Sequence, residues 1–174
     1  MTNTKKLTTS AICLALCLLL PFLTGQVPQI GNMLLPMHIP VLLCGLICGW
    51  PWGAAVGFIT PLLRYALFGM PQIFPMGISM AAELAVYGMT VGMVYARSPK
   101  NLGSIYVSLG VAMIAGRIVW GAVRYLMAVM TGVEFTMDLF LAGAFFTAWP
   151  GIILQFLLIP PIVRALERSK LAIA

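Results

Sequence analysis

The sequence LPMHIPVLLCGLICGWPWGAAVGFITPLLRYALFG, residues 35–69, decides the fold of this chain. It consists of two strongly apolar segments separated by the tripeptide Trp50-Pro51-Trp52. The chain's only histidine, His38, lies near its start, and a single arginine, Arg64, lies near its end. Apolar runs of this kind are typical of membrane helices, and an arginine inside one is costly enough to require an explanation.

The composition of the whole chain predicts an integral membrane protein. Of its 174 residues, 61% are hydrophobic and 8% are charged, whereas a soluble domain has about 25% charged residues. Because so few polar residues cannot cover a water-facing surface, we expect residues 1–174 to form one integral membrane domain. The net charge of +6 does not predict nucleic-acid binding, since the basic residues form no patch with interleaved aromatic residues.

The N-terminal sequence TKKLTTSAICLALCLLLPF has the basic start and the apolar run of a secretory signal peptide. No convincing small-x-small cleavage site follows the run, and the rest of the chain is equally apolar. We therefore interpret this segment as the first membrane helix.

Glycine, proline and polar clusters divide the chain into six segments, which predict an all-α bundle of six transmembrane helices. A transmembrane helix needs about 20 apolar residues. The second predicted helix is shorter than that, so we expect it to be tilted, half-buried or extended into the preceding loop. The predicted bounds are 7–24, 39–49, 52–69, 77–95, 103–130 and 139–166.

The basic residues predict the orientation, because cytoplasmic loops of membrane proteins carry an excess of Lys and Arg. With six spans and both termini in the cytoplasm, the external loops hold the acids Glu134 and Asp138 and no basic residue. We therefore predict a multi-pass protein of a bacterial-type plasma membrane. The residues then on the cytoplasmic side are Lys5, Lys6, Arg97, Lys100, Arg164, Arg168 and Lys170.

Four charged residues lie within the predicted spans: Arg64, Glu83, Arg117 and Arg124. Arg117 and Arg124 are seven positions apart and share one helix face with Trp120. Each charge has a structural alternative, since Glu83 can pair with an arginine and Arg124 can snorkel to the interface. As a set, three arginines against one acid leave an excess of positive charge. That excess predicts an external-facing site for a small polar or anionic solute, with Arg64 either paired with Glu83 or holding the solute.

His38 is interpreted either as a helix-cap or interface residue or as part of the site. Two further polar stripes, on the fourth and sixth predicted helices, support that site. At spacing four, the stripes are Ser79, Glu83 and Tyr87, and Thr147, Gly151 and Gln155. The candidate substrate-binding residues are therefore His38, Arg64, Ser79, Glu83, Tyr87, Arg117, Trp120, Arg124 and Gln155.

Catalytic and cofactor motifs are missing from the sequence. It contains no HExxH, no GxSxG and no P-loop, so we predict neither an enzyme nor a bound cofactor. Cys13 and Cys17, and Cys44 and Cys48, are each four positions apart, a spacing that suits a soft metal ion but also small apolar packing residues. We predict packing and no metal site.

The first predicted helix carries Ala11 and Ala15, small residues four positions apart that allow another helix to approach closely. With the six-helix topology and the glycine-rich turn HIPVLLCGLICGWPWGAAVGFITPLLR, this chain resembles the substrate-binding S component of an energy-coupling factor (ECF) vitamin transporter. The resemblance extends over nearly the whole chain by topology and is concentrated in residues 35–69 by motif.

The resemblance implies a subunit that binds a vitamin or vitamin precursor near the external face, mostly through its fourth to sixth helices, under a lid formed by residues 26–37. It also implies partners: a transmembrane scaffold protein, contacted through Ala11 and Ala15, and two ATPase subunits. The subunit would carry the solute inward by toppling in the bilayer. The PMHIPVLLCG, PLLR and MPQIFPMG segments are similar to those of members proposed to carry thiamine precursors. The arginine excess favours an acid such as pantothenate, a folate or nicotinate.

Two other function classes are compatible with the sequence. A membrane-embedded, lipid-modifying enzyme would use an arginine to hold a lipid phosphate, with His38 or Glu83 as its base. A stand-alone channel or secondary carrier is typically built from inverted repeats and broken helices. The sequence shows no convincing repeat, although Pro150 and the pair Pro160-Pro161 are expected to interrupt the sixth helix.

Overall fold

The computed structural model describes residues 2–23, 33–132, 134 and 136–168, with the side chains of residues 144 and 145 left out. Within these ranges the chain forms seven α-helices and no strand. Two single π-helical turns, Ile73–Gly77 and Ala142–Phe146, lead into helical segments. The helices are α1 (Asn3–Leu23), α2 (His38–Cys48), α3 (Trp50–Phe68), α4 (Ile78–Arg97), α5 (Leu102–Thr131), α6 (Met137–Leu141) and α7 (Trp149–Arg168).

The predicted all-α fold is confirmed, but the prediction of six helices is wrong in number. Four helical segments are long and apolar enough to cross a membrane: Asn3–Leu23, Ile73–Arg97, Leu102–Thr131 and Trp149–Arg168. The sixth predicted helix, 139–166, is divided into α6, a π-helical turn and α7, which begins one residue before Pro150. Proline is favoured in the first turn of a helix, where its missing N–H has no partner to lose.

Pro160 and Pro161, in contrast, do not interrupt α7, which continues through both of them. The expectation of a break there is therefore wrong. Transmembrane helices tolerate proline when neighbouring groups satisfy the freed backbone carbonyls. Pro160 and its neighbour Ile159 are buried against the rest of the bundle.

Helix α2 is the short second helix, and it is fully buried rather than half-buried. All eleven of its residues are buried, including every side chain between His38 and Cys48. It runs antiparallel to α1, because the Cys17 thiol reaches the Met37 carbonyl (3.5 Å) at one end and the Cys48 thiol reaches the Lys6 carbonyl (3.7 Å) at the other. A helix of this length spans about 16 Å, which is too short to cross the hydrocarbon core of a bilayer, about 30 Å.

Close backbone packing joins α2, α3 and α4. Gly45 on α2, Gly53 on α3 and Gly88 on α4 meet so closely that a β-carbon at Gly53 would lie 2.6 Å from both the Gly45 Cα and the Gly88 carbonyl oxygen. A β-carbon at Gly88 would overlap the Gly53 backbone. Small residues at such contacts are the usual basis of helix packing in membranes. We call these three residues the glycine seam.

The distribution of polar and apolar side chains is inverted relative to that of a soluble protein. Large apolar side chains such as Leu23, Ile114 and Met130 are among the most exposed, whereas Ser79, Glu83 and Gln155 are buried. A surface of this kind is stable when lipid covers it. The orientation of the termini and the predicted cytoplasmic positions of the basic residues stay predictions.

Candidate functional site

A cavity of about 510 Å³ lies between α4 and α5. The π-helical turn before α4 contributes Phe74, Pro75 and Met76, and the segment after α5 contributes Glu134, Leu139, Gly143 and Thr147. Helix α5 forms the longest wall, with Arg117, Trp120, Arg124, Met127, Ala128 and Thr131. The remaining lining residues are Leu35, His38, Met80 and Glu83.

Three ionisable side chains from three helices meet at the inner end of this cavity. Glu83 Oε1 lies 3.0 Å from Arg117 Nη1 and 3.8 Å from His38 Nε2. The Glu83 and Arg117 side chains are only 2% and 6% exposed. The His38 ring also packs edge-on against Tyr87, with 5.1 Å between the ring centroids. We call His38, Glu83 and Arg117 the charged floor.

The charged floor keeps several buried polar atoms without a hydrogen-bond partner among the described residues. They are both ring nitrogens of His38, Nε and Nη2 of Arg117, and Oε1 of Glu83, whose 3.0 Å contact with Arg117 Nη1 is an ion pair without hydrogen-bond geometry. Buried polar groups in proteins are almost always paired, so unpaired ones at a cavity indicate a place where another molecule binds. The cavity therefore has the hydrogen-bonding capacity for a polar ligand at its inner end.

Aromatic and apolar side chains form the wall above the charged floor. The Trp120 and Phe140 rings are tilted against each other, with 6.2 Å between their centroids. The Arg124 guanidinium lies 5.8 Å from the centre of the Trp120 ring. Gly143 leaves room for Trp120, since a β-carbon there would lie 2.8 Å from the edge of the indole. These neighbours fix the Trp120 side chain in the cavity wall.

The charges that line the cavity differ from those expected from the sequence. Arg64 is not among the lining residues, and Glu134 is. The lining set therefore holds two arginines, Arg117 and Arg124, and two carboxylates, Glu83 and Glu134. These four charges cancel, so the arginines that line the cavity in the described residues are no longer in excess over the acids.

Arg64 packs against α1. It forms no ion pair with Glu83 and does not line the cavity. Its Nη1 donates a hydrogen bond to the Leu18 carbonyl oxygen at 3.0 Å. The guanidinium carbon also lies 5.6 Å from the centres of the Phe22 and Phe68 rings. Within the described residues, the Leu18 carbonyl oxygen and two aromatic rings thus stabilise this cation, and no acid pairs with it.

Replacing Arg64 with methionine should therefore weaken the packing of α1 on α3 and leave solute binding unchanged. Losing a hydrogen bond to a charged group should lower the free energy of unfolding by about 1.5–3 kcal/mol. The melting temperature of the detergent-solubilised variant measures the first effect, and small-molecule retention at saturating solute measures the second. A loss of retention in a variant that remains folded would place Arg64 at the binding site after all.

Three other candidate residues are buried but do not line the cavity. Ser79 donates a hydrogen bond to the Pro75 carbonyl oxygen at 2.8 Å and holds the π-helical turn. The Tyr87 ring packs edge-on against the His38 ring. The buried Gln155 side chain keeps its amide nitrogen without a hydrogen-bond partner among the described residues.

Sequence reasoning placed Glu134 in an external loop and did not propose it as a site residue. A residue in a loop has no helical or strand periodicity from which the direction of its side chain could be predicted. Five of the nine candidate residues do line the cavity: His38, Glu83, Arg117, Trp120 and Arg124. Residues 26–32 of the expected lid lie outside the described residues.

The four cysteines are free and buried between α1 and α2. Cys44 donates to the Ser10 hydroxyl oxygen at 3.4 Å, and Cys17 to the Met37 carbonyl oxygen. In the part of the chain that the structure describes, no group of three or more His, Cys, Asp or Glu side chains is placed to hold a metal ion.

Comparison with known proteins gives one match. A family model described as "ECF transporter, substrate-specific component" matches residues 5–163, which is most of the chain. No curated protein and no solved structure matches the sequence.

Proposed function

Because this chain belongs to the family of ECF transporter substrate-specific components, we propose that it binds a vitamin or vitamin precursor for an ATP-driven importer. The family is one of transport subunits, and the apolar helices are those of a multi-pass membrane protein. In the finer proposal the solute enters from the external side, with both termini in the cytoplasm. It is delivered inward when the subunit reorients together with a transmembrane scaffold and two ATPase subunits.

The observation that carries the proposal is the cavity between α4 and α5 with its charged floor. Its volume of about 510 Å³ lies within the range of small-molecule sites, about 300–1,000 Å³. Intramembrane charged groups are kept at sites that use them, since each is costly to bury. The proposed binding residues are therefore the lining residues His38, Glu83, Arg117, Trp120 and Arg124, with Ser79, Tyr87 and Gln155 supporting them from behind.

The proposed surface for the scaffold lies on α1. Ala11 and Ala15 are exposed, whereas Ser10, Cys13 and Cys17 turn toward the bundle. A pair of exposed alanines four positions apart leaves a shallow groove in which another helix can approach closely.

Replacing Ala15 with tryptophan should therefore block assembly with the scaffold and leave solute binding intact. The expected result is a loss of about tenfold or more in ATP-dependent uptake when the variant is reconstituted with its scaffold and ATPases, because helix packing that depends on small residues does not accommodate a large ring. The matched control is Ile114→Trp, since Ile114 is 62% exposed on α5. Equal uptake by the two variants would contradict the proposed surface.

The test of the proposed function is mass spectrometry of small molecules released by denaturing the protein, purified in detergent without added solute. A stoichiometric vitamin or precursor would support a tight-binding transport subunit. A bound lipid that is chemically altered on incubation would instead favour a lipid-modifying enzyme. Uptake by liposomes that contain this chain alone would favour a stand-alone carrier.

A further inference from the structure

We infer, on the basis of the proposed function, that the solute is electrically neutral or zwitterionic overall and carries a flat heterocycle whose edge combines a hydrogen-bond donor with an acceptor. This replaces the acidic solute that the three intramembrane arginines suggest from the sequence. The inference depends on the charge balance of the charged floor, on its unpaired polar atoms and on the aromatic wall above it.

The charge balance disfavours a free anion. Glu83 and Arg117 are almost fully buried at 3.0 Å from each other, so each already neutralises its partner. A net anion placed beside them would add an uncompensated negative charge close to Glu83 in a low-dielectric environment, which is costly. The other lining cation, Arg124, shares the cavity with the carboxylate of Glu134. A neutral or zwitterionic solute leaves this balance intact.

The unpaired atoms of the charged floor require both donors and acceptors from the solute. Arg117 Nε and Nη2 form the side-on fork of the guanidinium, and both are donors in need of an acceptor. Glu83 Oε1 is ion-paired with Arg117 Nη1 but accepts no hydrogen bond, and both ring nitrogens of His38 are without a hydrogen-bond partner. A carboxylate supplies acceptors only and gives Glu83 Oε1 no hydrogen bond. A ring edge with a carbonyl or ring nitrogen next to an N–H serves Arg117 and Glu83 together.

The wall above the charged floor favours a flat ring. Trp120 is held by Phe140 and Gly143, while Met80, Met127 and Phe74 line the same space. Aromatic rings prefer offset or edge-on packing against other rings, and methionine adapts to their edges. A heterocycle bound with its polar edge at the charged floor would therefore have its face against Trp120 and its other edges against the thioethers of Met80 and Met127.

The experiment uses the whole chain in lipid nanodiscs, incubated with the low-molecular-weight fraction of yeast extract, a mixture rich in vitamins. Compounds retained above empty nanodiscs are identified by mass spectrometry, and their net charge at pH 7 is assigned from their structure. The expected result is a retained heteroaromatic compound of net charge zero. Retention of a net anion, or of a compound without a heterocycle, would overturn the inference and leave the proposed function standing. Retention of nothing would remove both.

A charge-removing variant tests the same inference by the direction of its effect. Glu83→Gln should weaken retention of that compound by about tenfold or more, because an acceptor of the charged floor becomes partly a donor. For a net anion, removing the negative charge of Glu83 would strengthen retention instead. Asp138→Asn is the matched control, since Asp138 is exposed and does not line the cavity. The identity of the compound retained by the unmodified chain decides the inference even where Glu83→Gln does not fold.

Discussion

Replacing Arg117 with methionine should lower the free energy of unfolding by about 3–5 kcal/mol, because it leaves Glu83 as a buried charge without a counter-ion. The two side chains are 2% and 6% exposed and lie 3.0 Å apart, so only cavity water can replace the lost guanidinium, and water carries no compensating charge. His38 Nε2 lies 3.8 Å from Glu83 Oε1. This distance is too long for a strong hydrogen bond to replace the lost pair.

Thiol labelling measures this destabilisation directly. The four buried, free cysteines react with a fluorogenic thiol reagent only when the bundle opens, so the temperature of labelling reports unfolding. The double variant Glu83→Gln/Arg117→Met should regain most of the loss, since it buries no net charge. The single variant Arg124→Met serves as control, because Arg124 is only half-buried. A double variant as unstable as Arg117→Met alone would show that Arg117 acts through its packing and not through Glu83.

Stability and binding are separable in this pair of residues. The double variant should fold and yet retain no solute, because it lacks both the guanidinium fork and the carboxylate of the charged floor. Replacing both members of a buried ion pair is often nearly neutral for folding, because no unpaired charge remains. Solute binding is still lost, because the solute needs the hydrogen-bond donors and acceptors themselves.

Glu83, Arg117 and Arg124 line the cavity and were candidates from the sequence, because charge inside an apolar helix is costly wherever it lies. Arg64 satisfied the same criterion and yet packs on α1. Its partner is the carbonyl of Leu18, a backbone group that has no signature in the sequence. The cost of burying a charge thus identifies which residues need a partner, and only the tertiary structure identifies the partner.

The fold shows the same limit. The hydrophobic runs and the glycine, proline and polar clusters located α1, α3, α4 and α5 to within four residues, since these helices depend on local sequence, but they placed the start of α7 ten residues too early. Full burial of α2 was not predictable from the sequence. The eleven-residue helix is too short to span a bilayer, and its burial depends on α1, α3, α4 and α7, which pack around it. Pro160 and Pro161 carry a strong local signal for a helix break, and tertiary packing overrides it in α7.

Replacing Gly88 with alanine should be at least as damaging as losing Arg117, although it adds a single methyl group. The added β-carbon would overlap the backbone of Gly53, and backbone atoms of a packed helix cannot rotate away as a side chain can. Helix α4 would have to move off α2 and α3 together, because Gly45 also packs on the Gly88 carbonyl. Overpacking of a rigid contact typically costs about 1–3 kcal/mol and more where the backbone must shift, so we expect about 3 kcal/mol or more.

The matched control is Gly110→Ala on α5, where an added β-carbon meets no atom within 4 Å. That change should be neutral or stabilising by about 0.5–1 kcal/mol, because alanine is the better helix former. Thiol labelling and the yield of monodisperse protein compare the two variants, and equal labelling temperatures would contradict the close approach at the glycine seam. The seam also positions the site, since α2 carries His38 and α4 carries Glu83. A Gly88→Ala protein that still folds should therefore hold these two side chains farther apart and bind its solute more weakly than Gly110→Ala does.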